Sequence, residues 1–235
     1  MNMHNKSVSL DEIELPGGRF RIVELSSVVS PHDTGHTGHT LKMERGNFPF
    51  DDSFYHIMQV HSHLGTHVEV PRNAGLDLPD AVDTPIGAFI GWLQLLNLES
   101  LPANHELTIA DLEKAGLDKV KPGDIAGIYG KHKGGYHDPA NDKRVRLNVE
   151  TMQALVDRGI RAVLMDNSTL SLETSKEACQ AMHRVFLQNN LPIFENFYTL
   201  DRLSHDRVFF LGLPLPFVDL DSSPIRAIAF EPVKG

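Results

Sequence analysis

His61, His63, His67 and Glu69 crowd three imidazoles and a carboxylate into nine residues, around the turn-forming pair Gly65-Thr66. Imidazole nitrogen and carboxylate oxygen are the natural donors to zinc or manganese. Side chains of an extended chain repeat with a period of two, so His61 and His63 share one face, and His67 and Glu69 share another. A reversal at Gly65 would then bring His63, His67 and Glu69 to one point. A helical H-E-x-x-H site does not fit, because Gly65, Thr66, Val68 and Val70 disfavour a helix. The competing reading is a His-rich strand whose imidazoles are hydrogen-bonded or face water.

Two further donors lie in the last third of the chain. Glu173 to Asn190 reads as a helix with Cys179, Met182, Phe186 and Asn190 close to one stripe and His183 on the same side. Leu191-Pro192-Ile193-Phe194 reads as a short apolar strand running into Glu195. A carboxylate buried there is costly unless paired or metal-bound, and strand ends are where open α/β sheets place their sites. Taken alone, His183 reads as a core histidine and Glu195 as a charge reaching solvent. His32, His36 and His39 sit among glycines and threonines and read as loop histidines. Cys179 resembles a small core residue more than a nucleophile. The sequence has no G-x-S-x-G elbow and no phosphate-cradling glycine loop.

The elements that must position these groups follow from pattern and punctuation. Phe20 to Leu25 alternates like a strand, and Phe89 to Leu98 is an apolar run suited to a buried one. Thr108 to Gly116 reads as a short capped helix. Lys121-Pro122-Gly123-Asp124 turns into the strand Ile125 to Tyr129, and Gly130 to Arg146 is a long polar loop. Asn148 to Arg158 is a helix stopped at Gly159, and Arg161 to Met165 a strand ending at Asp166. At 235 residues, with 41% apolar and 23% charged residues, the chain suits one domain, or two small ones, with a sizeable core; residues 1–10 read as loose. A net charge of −9 disfavours nucleic acid and anionic membrane as partners. The single Cys179 excludes an internal disulfide, and the chain shows no signal peptide or membrane span, so the expected setting is the cytoplasm.

Residues 21–231 resemble the cyclase family of metal-dependent hydrolases, which includes bacterial kynurenine formamidase and isatin hydrolase. The family pattern H-x-G-T-H-x-D-x-P-x-H is similar to His63-Leu64-Gly65-Thr66-His67-Val68-Glu69-Val70-Pro71-Arg72-Asn73. Glu24-Leu25-Ser26 resembles the opening D-L-S, and Lys121 to Asp124 the x-x-G-D turn. Met165-Asp166-Asn167-Ser168 resembles G-x-D-x-x-S, Ile193-Phe194-Glu195-Asn196 resembles I-x-E-N, and Ser223 to Ala227 the closing S-P-x-R-A. His183 precedes Glu195 by the twelve residues that the family expects.

The resemblance implies a single compact α/β domain of the swivelling β/β/α type, a mixed or barrel-like sheet flanked by helices. It implies a homodimer or homotetramer, and a centre of one or two zinc or manganese ions held by His63, His67, Glu69, His183 and Glu195. The implied reaction is hydrolysis of a C–N bond in a small amide, formamide or lactam by metal-activated water. Two positions depart from the pattern. Glu69 replaces Asp, which keeps the carboxylate but moves it outward by about one bond length. Asn73 replaces the proton-shuttling His; an amide cannot act as acid or base near neutrality, though it can orient or contact an oxyanion. His61, His56 and His36 remain as candidates to deliver the proton. A metal-dependent lyase or dehydratase, and a non-catalytic ligand-binding relative, are the alternative readings.

Overall fold

The computed structural model describes residues 11–31, 39–102, 105–130, 145–166 and 176–233, and within them every side chain except those of Lys176, Ala178, Cys179 and Met182. Residues 1–10, His32, His36, Asn167-Ser168, the start of the long helix at Glu173 and most of the polar loop after Gly130 lie outside the described residues.

The described strands are β1 (Glu12–Leu15), β2 (Gly18–Glu24), β3 (Leu41–Asn47), β4 (Phe54–Val60), β5 (His67–Glu69), β6 (Ile90–Asn97), β7 (Ile125–Tyr129), β8 (Ala162–Met165), β9 (Ile193–Glu195), β10 (Arg207–Leu211), β11 (Ser222–Pro224) and β12 (Ile228–Pro232). The helices are α1 (Ile109–Lys114), α2 (Val149–Asp157) and α3 (Lys176–Leu187). Ten strands form one mixed sheet in the order β1-β2-β12-β10-β6-β7-β8-β9-β5-β11, and β3 pairs with β4 as a separate hairpin.

The centre of the sheet is parallel, from β6 through β7 and β8 to β9. Its strands are apolar on both faces, as parallel strands covered on both sides must be. Along β8, Val163 and Met165 face the core shared with α1, α2 and α3, while Ala162 and Leu164 face the second core. That second core is built around Phe89, Phe194, Phe197 and Phe210, with Phe194 and Phe210 edge to face at 5.0 Å. Only Ile225–Ala227 separate β11 from β12. In a flat sheet those two strands would stand seven spacings apart, about 34 Å at about 4.8 Å each, whereas that connection spans at most about 14 Å. The sheet therefore curls until its ends approach, the barrel-like form of the expected architecture.

Local chemistry sets the helix ends where the sequence suggests. Thr108 caps α1 and Asn148 caps α2, each in a reciprocal capping box. Gly116 and Gly159, at φ +99° and +72°, take the left-handed conformation that ends each helical run. The long helix ends earlier than its apolar stripe suggests. α3 stops at Leu187, and Asn190 turns left-handed at φ 57° while the Leu191 N–H donates to the Phe186 carbonyl.

Candidate metal centre

β5 is the pivot of the site. It pairs antiparallel with β9 in a register that sets His67 opposite Glu195 and Glu69 opposite Ile193. Residues directly opposite project to the same face, so His67, Glu69 and Glu195 all point to the helix side of the sheet, where α3 brings His183. His67, Glu69 and Glu195 are buried and His183 is half-buried.

The expected reversal occurs at Gly65, which takes φ +65°. A Cβ there would stand 2.6 Å from the Val29 side chain, so both conformation and space favour glycine. The extended reading of the other arm does not hold. His61 to Leu64 form a turn closed by the Leu64 N–H on the His61 carbonyl at 3.1 Å, so His61 and His63 do not share a strand face. The turn swings His63 inward, with Nδ1 at 2.9 Å from Glu69 Oε1. The remaining contacts are 3.9 Å from His67 Nε2 to Glu69, 3.7 Å from His67 Nε2 to Glu195 and 3.6 Å from His183 Nε2 to Glu69.

Several groups hold this arrangement. His67 Nδ1–H donates to the Gly65 carbonyl at 2.8 Å, leaving the Nε2 lone pair facing the carboxylates. The Asn196 amide donates to the same carbonyl at 3.3 Å, from a residue held at φ 64° directly after Glu195. The Thr66 hydroxyl donates to the Asn196 carbonyl and accepts from the Ser27 N–H. Glu24 pairs with Arg226, and the Ser26 hydroxyl accepts from the Ala227 N–H, so the first and last family segments are tied together.

Burial works against a charge on His63, but hydrogen bonds to Asp221 and Glu69 outweigh it and hold the imidazolium up to about 10. Burial also pushes Glu69 up, yet the hydrogen bond from His63 and the charges of His183 and His63 keep its carboxyl well below the usual range. Glu195 shifts the opposite way, raised by burial and by the negative Glu69.

The donors fit a divalent cation. His63, His67 and Glu69 form one group, and Glu69, His183 and Glu195 a second, each with ligand atoms within 4.8 Å of one another. His67 Nε2, Glu69 Oε2 and Glu195 Oε1 are buried without a hydrogen-bond partner. Orphaned buried atoms of this kind are expensive, and all three belong to residues of these two groups. Asp166 is outside both groups; its carboxylate accepts from the Gly130 N–H at 2.7 Å and joins the ends of β7 and β8.

Asn73 sits on the single helical turn Pro71–Ala74 and directs its amide N–H at Asp221, 3.3 Å away. A cleft of about 320 Å³ opens beside it, lined by Asn73, Ala74, Gln180, His183 and Arg184. Among the candidates for the missing proton donor, His61 stacks on His39 beside the site, ring centroids 3.8 Å apart. His56 lies out on β4, against Phe54. Asp221, whose Oδ2 stands 3.0 Å from His63 Nε2, is the site residue that sequence reasoning missed. The available signal was its place directly before Ser222-Ser223-Pro224, but no local spacing links it to a histidine 158 residues away.

The Cyclase family model, described as "Putative cyclase", matches residues 23–171. The chain belongs to the Cyclase family. Among its relatives are a kynurenine formamidase of Erythrobacter litoralis, 26% identical over 175 residues covering 74% of this chain and 76% of that one, and one of Bacillus cereus, 22% identical over 166 residues covering 71% and 75%. The fold is similar to that of isatin hydrolase A from Labrenzia aggregata bound to benzyl benzoate, with a TM-score of 0.75, 17% identity, and coverage of 91% of this chain and 94% of that chain. This likeness in fold covers 91% of the chain, more than residues 23–171 that the family model matches.

Proposed function

We propose that this Cyclase-family chain is a metal-dependent hydrolase that opens a C–N bond in a small amide, formamide or lactam. The observation that carries the reading is that His67 Nε2, Glu69 Oε2 and Glu195 Oε1 are buried without hydrogen-bond partners within two adjoining donor groups that share Glu69 and include His63 and His183. The activities named for its kynurenine formamidase relatives support the reaction class. His63, His67, Glu69, His183 and Glu195 would hold the ion, and Glu69, shared by both groups, would serve two ions if two bind. Nitrogen and oxygen donors suit zinc or manganese. A divalent cation held there supplies an activated water and polarises the carbonyl under attack.

The protein's own groups do the positioning. Gly65 and Asn196 fix the His67 ring so that its lone pair faces inward. Asn73 stands at the cleft, with an amide that can orient a carbonyl oxygen but has no proton to exchange near neutrality. The cleft suits a small molecule. Cys179 as the single cysteine supports a reducing, cytoplasmic setting; among the described residues, no helix is long and apolar enough to cross a membrane.

We also propose that the chain works as a homodimer or homotetramer. Phe48, Phe50, Phe54 and Tyr55 on the β3–β4 hairpin are 39–96% exposed. At roughly 150–250 Å² for an aromatic side chain, they leave on the order of 400 Å² of ring in water. That is about half of what each partner contributes to a standard interface, and an isolated hairpin is marginal in water.

The test is metal analysis of protein purified without chelator, followed by hydrolysis assays on N-formylarylamines, lactams and cyclic imides. Bound zinc or manganese with turnover of one class is the expected result, and metal-free protein would refute it. Asn73 favours one alternative, a metal-holding relative that binds its ligand without turning it over. Metal without turnover, with hydrolysis appearing in Asn73→His, would establish that alternative.

A further inference from the structure

We infer that Asp221 selects which nitrogen of His63 faces the metal, and that Asn73 holds Asp221 in that task. The inference rests on the metal reading above. An imidazole carries its two nitrogens on different edges and can turn only one inward. His63 directs Nδ1 to Glu69 at 2.9 Å and Nε2 to Asp221 Oδ2 at 3.0 Å. The Asn73 amide nitrogen lies 3.3 Å from the same Asp221 oxygen and 3.4 Å from His63 Nε2. Both nitrogens are donors, so their approach to one another is not a bond between them. It is the mark of two N–H groups converging on one carboxylate oxygen.

Asp221 is well placed to keep this geometry. The next residue, Ser222, pairs with Glu69 across β11 and β5. Its hydroxyl reaches the carbonyls of Ser62 and Val68, both at 3.1 Å. The backbone that carries Asp221 is thereby tied to the turn that carries His63 and to the strand that carries Glu69. A metal-ligating histidine that donates its other N–H to a carboxylate has its tautomer and ring orientation fixed, and binds more strongly for it. Asp221 is thus a positioning residue acting through His63, and Asn73 acts through Asp221 at the place where the family pattern has its proton shuttle.

The test is the histidine ¹⁵N spectrum of the zinc-loaded protein, with zinc affinity measured by chelator competition. In the wild type, His63 should show metal-bound Nδ1 and protonated Nε2. Asp221→Ala should weaken zinc about 10- to 100-fold and lose the protonated Nε2 signature. Asp221→Asn keeps an acceptor oxygen, so it should retain the tautomer and lose less affinity. Asn73→Ala should fall between wild type and Asp221→Ala. Zinc bound through Nε2 of His63 in the wild type overturns the inference, and that measurement needs no variant to fold. Wild-type affinity in Asp221→Ala also overturns it while leaving the metal site intact. No zinc bound by the wild type removes the metal reading and this inference together.

Discussion

Glu195→Gln should move the stability of the metal-free and metal-loaded protein in opposite directions. Glu195 is buried, its Oε1 has no partner, and burial together with the charge on Glu69 pushes its carboxyl up. A carboxyl raised above its unfolded value lends full stability only below the ordinary carboxylate range, and that stability is lost as pH rises through the folded value. At neutral pH the buried carboxyl is therefore a cost, on the order of 1–3 kcal/mol for an unsatisfied buried group. Glutamine removes the charge at nearly the same volume, and its amide can donate to the lone pair of His67 Nε2, now 3.7 Å from Glu195. Metal-free Glu195→Gln should melt about 2–12 °C higher, at about 2–4 °C per kcal/mol for a chain of this size. Metal binding should change the other way. Structural zinc sites contribute about 10–16 kcal/mol, roughly 3–4 per ligand over four, so losing one weakens binding about 100- to 1,000-fold. At metal 100-fold above the wild-type Kd, wild type gains about 2.7 kcal/mol, and a variant 100-fold weaker gains about 0.4. Differential scanning calorimetry with chelator and with saturating metal measures both. A metal-free variant that melts lower than wild type, or an undiminished metal-induced rise, would refute the reasoning.

Glu69→Gln should lose metal from both ligand groups, whereas His63→Ala and Glu195→Gln should each disturb one, read as stoichiometry by elemental analysis. Metal uptake at pH 7.5 should release about one proton or more, because His63 stays protonated up to about 10 without metal. Affinity then rises with pH, and calorimetry in buffers of different ionisation enthalpy counts the protons. Glu231→Gln should cost about 2–3 kcal/mol in urea unfolding at pH 7, since the buried carboxylate takes Arg21 and the Ser204 and His205 N–H groups. Burial opposes that charge, but these bonds hold its carboxyl below the ordinary range, so its stabilisation fades as pH falls through the folded value. Charged substitutions at Phe50 and Phe54 should shift the assembly to monomer in light scattering.

The parallel centre of the sheet was legible because its rules are local. Continuous apolar runs mark β7 and β8, and cap residues mark α1 and α2. What escaped depends on distant partners. The extended arm that sets His67 and Glu69 on one face was legible, but not that this three-residue β5 is held between β9 and β11. The β3–β4 hairpin carries apolar side chains on exposed faces, so its residues lack the in-out alternation that announces a half-buried strand. The donors of the site were legible as types, and family spacing joined His183 and Glu195 to the first three. The turn at His61–Leu64 was not legible, because an alternating His-x-His looks extended until the partners of its backbone are known.

The two departures from the family pattern belong to one local arrangement. A carboxylate at position 69 that is one methylene longer reaches His63 Nδ1 at 2.9 Å while also standing within 4 Å of His67 and His183. With Nδ1 engaged by Glu69, His63 must present Nε2 to the outside of the cluster, where Asp221 accepts it. Asp221 has further acceptor capacity on the same oxygen, and Asn73 uses it. An imidazole at position 73 would compete for that oxygen with a group able to lose its proton, whereas an amide donates permanently. Read this way, Asn73 is the consistent neighbour of a Glu69 site. Returning Glu69 to Asp should then loosen the His63–Asp221 contact and weaken zinc, and Asp at 69 together with His at 73 should recover more affinity than the two single changes predict by addition. Strict additivity in that double-mutant cycle would show the two positions to be independent.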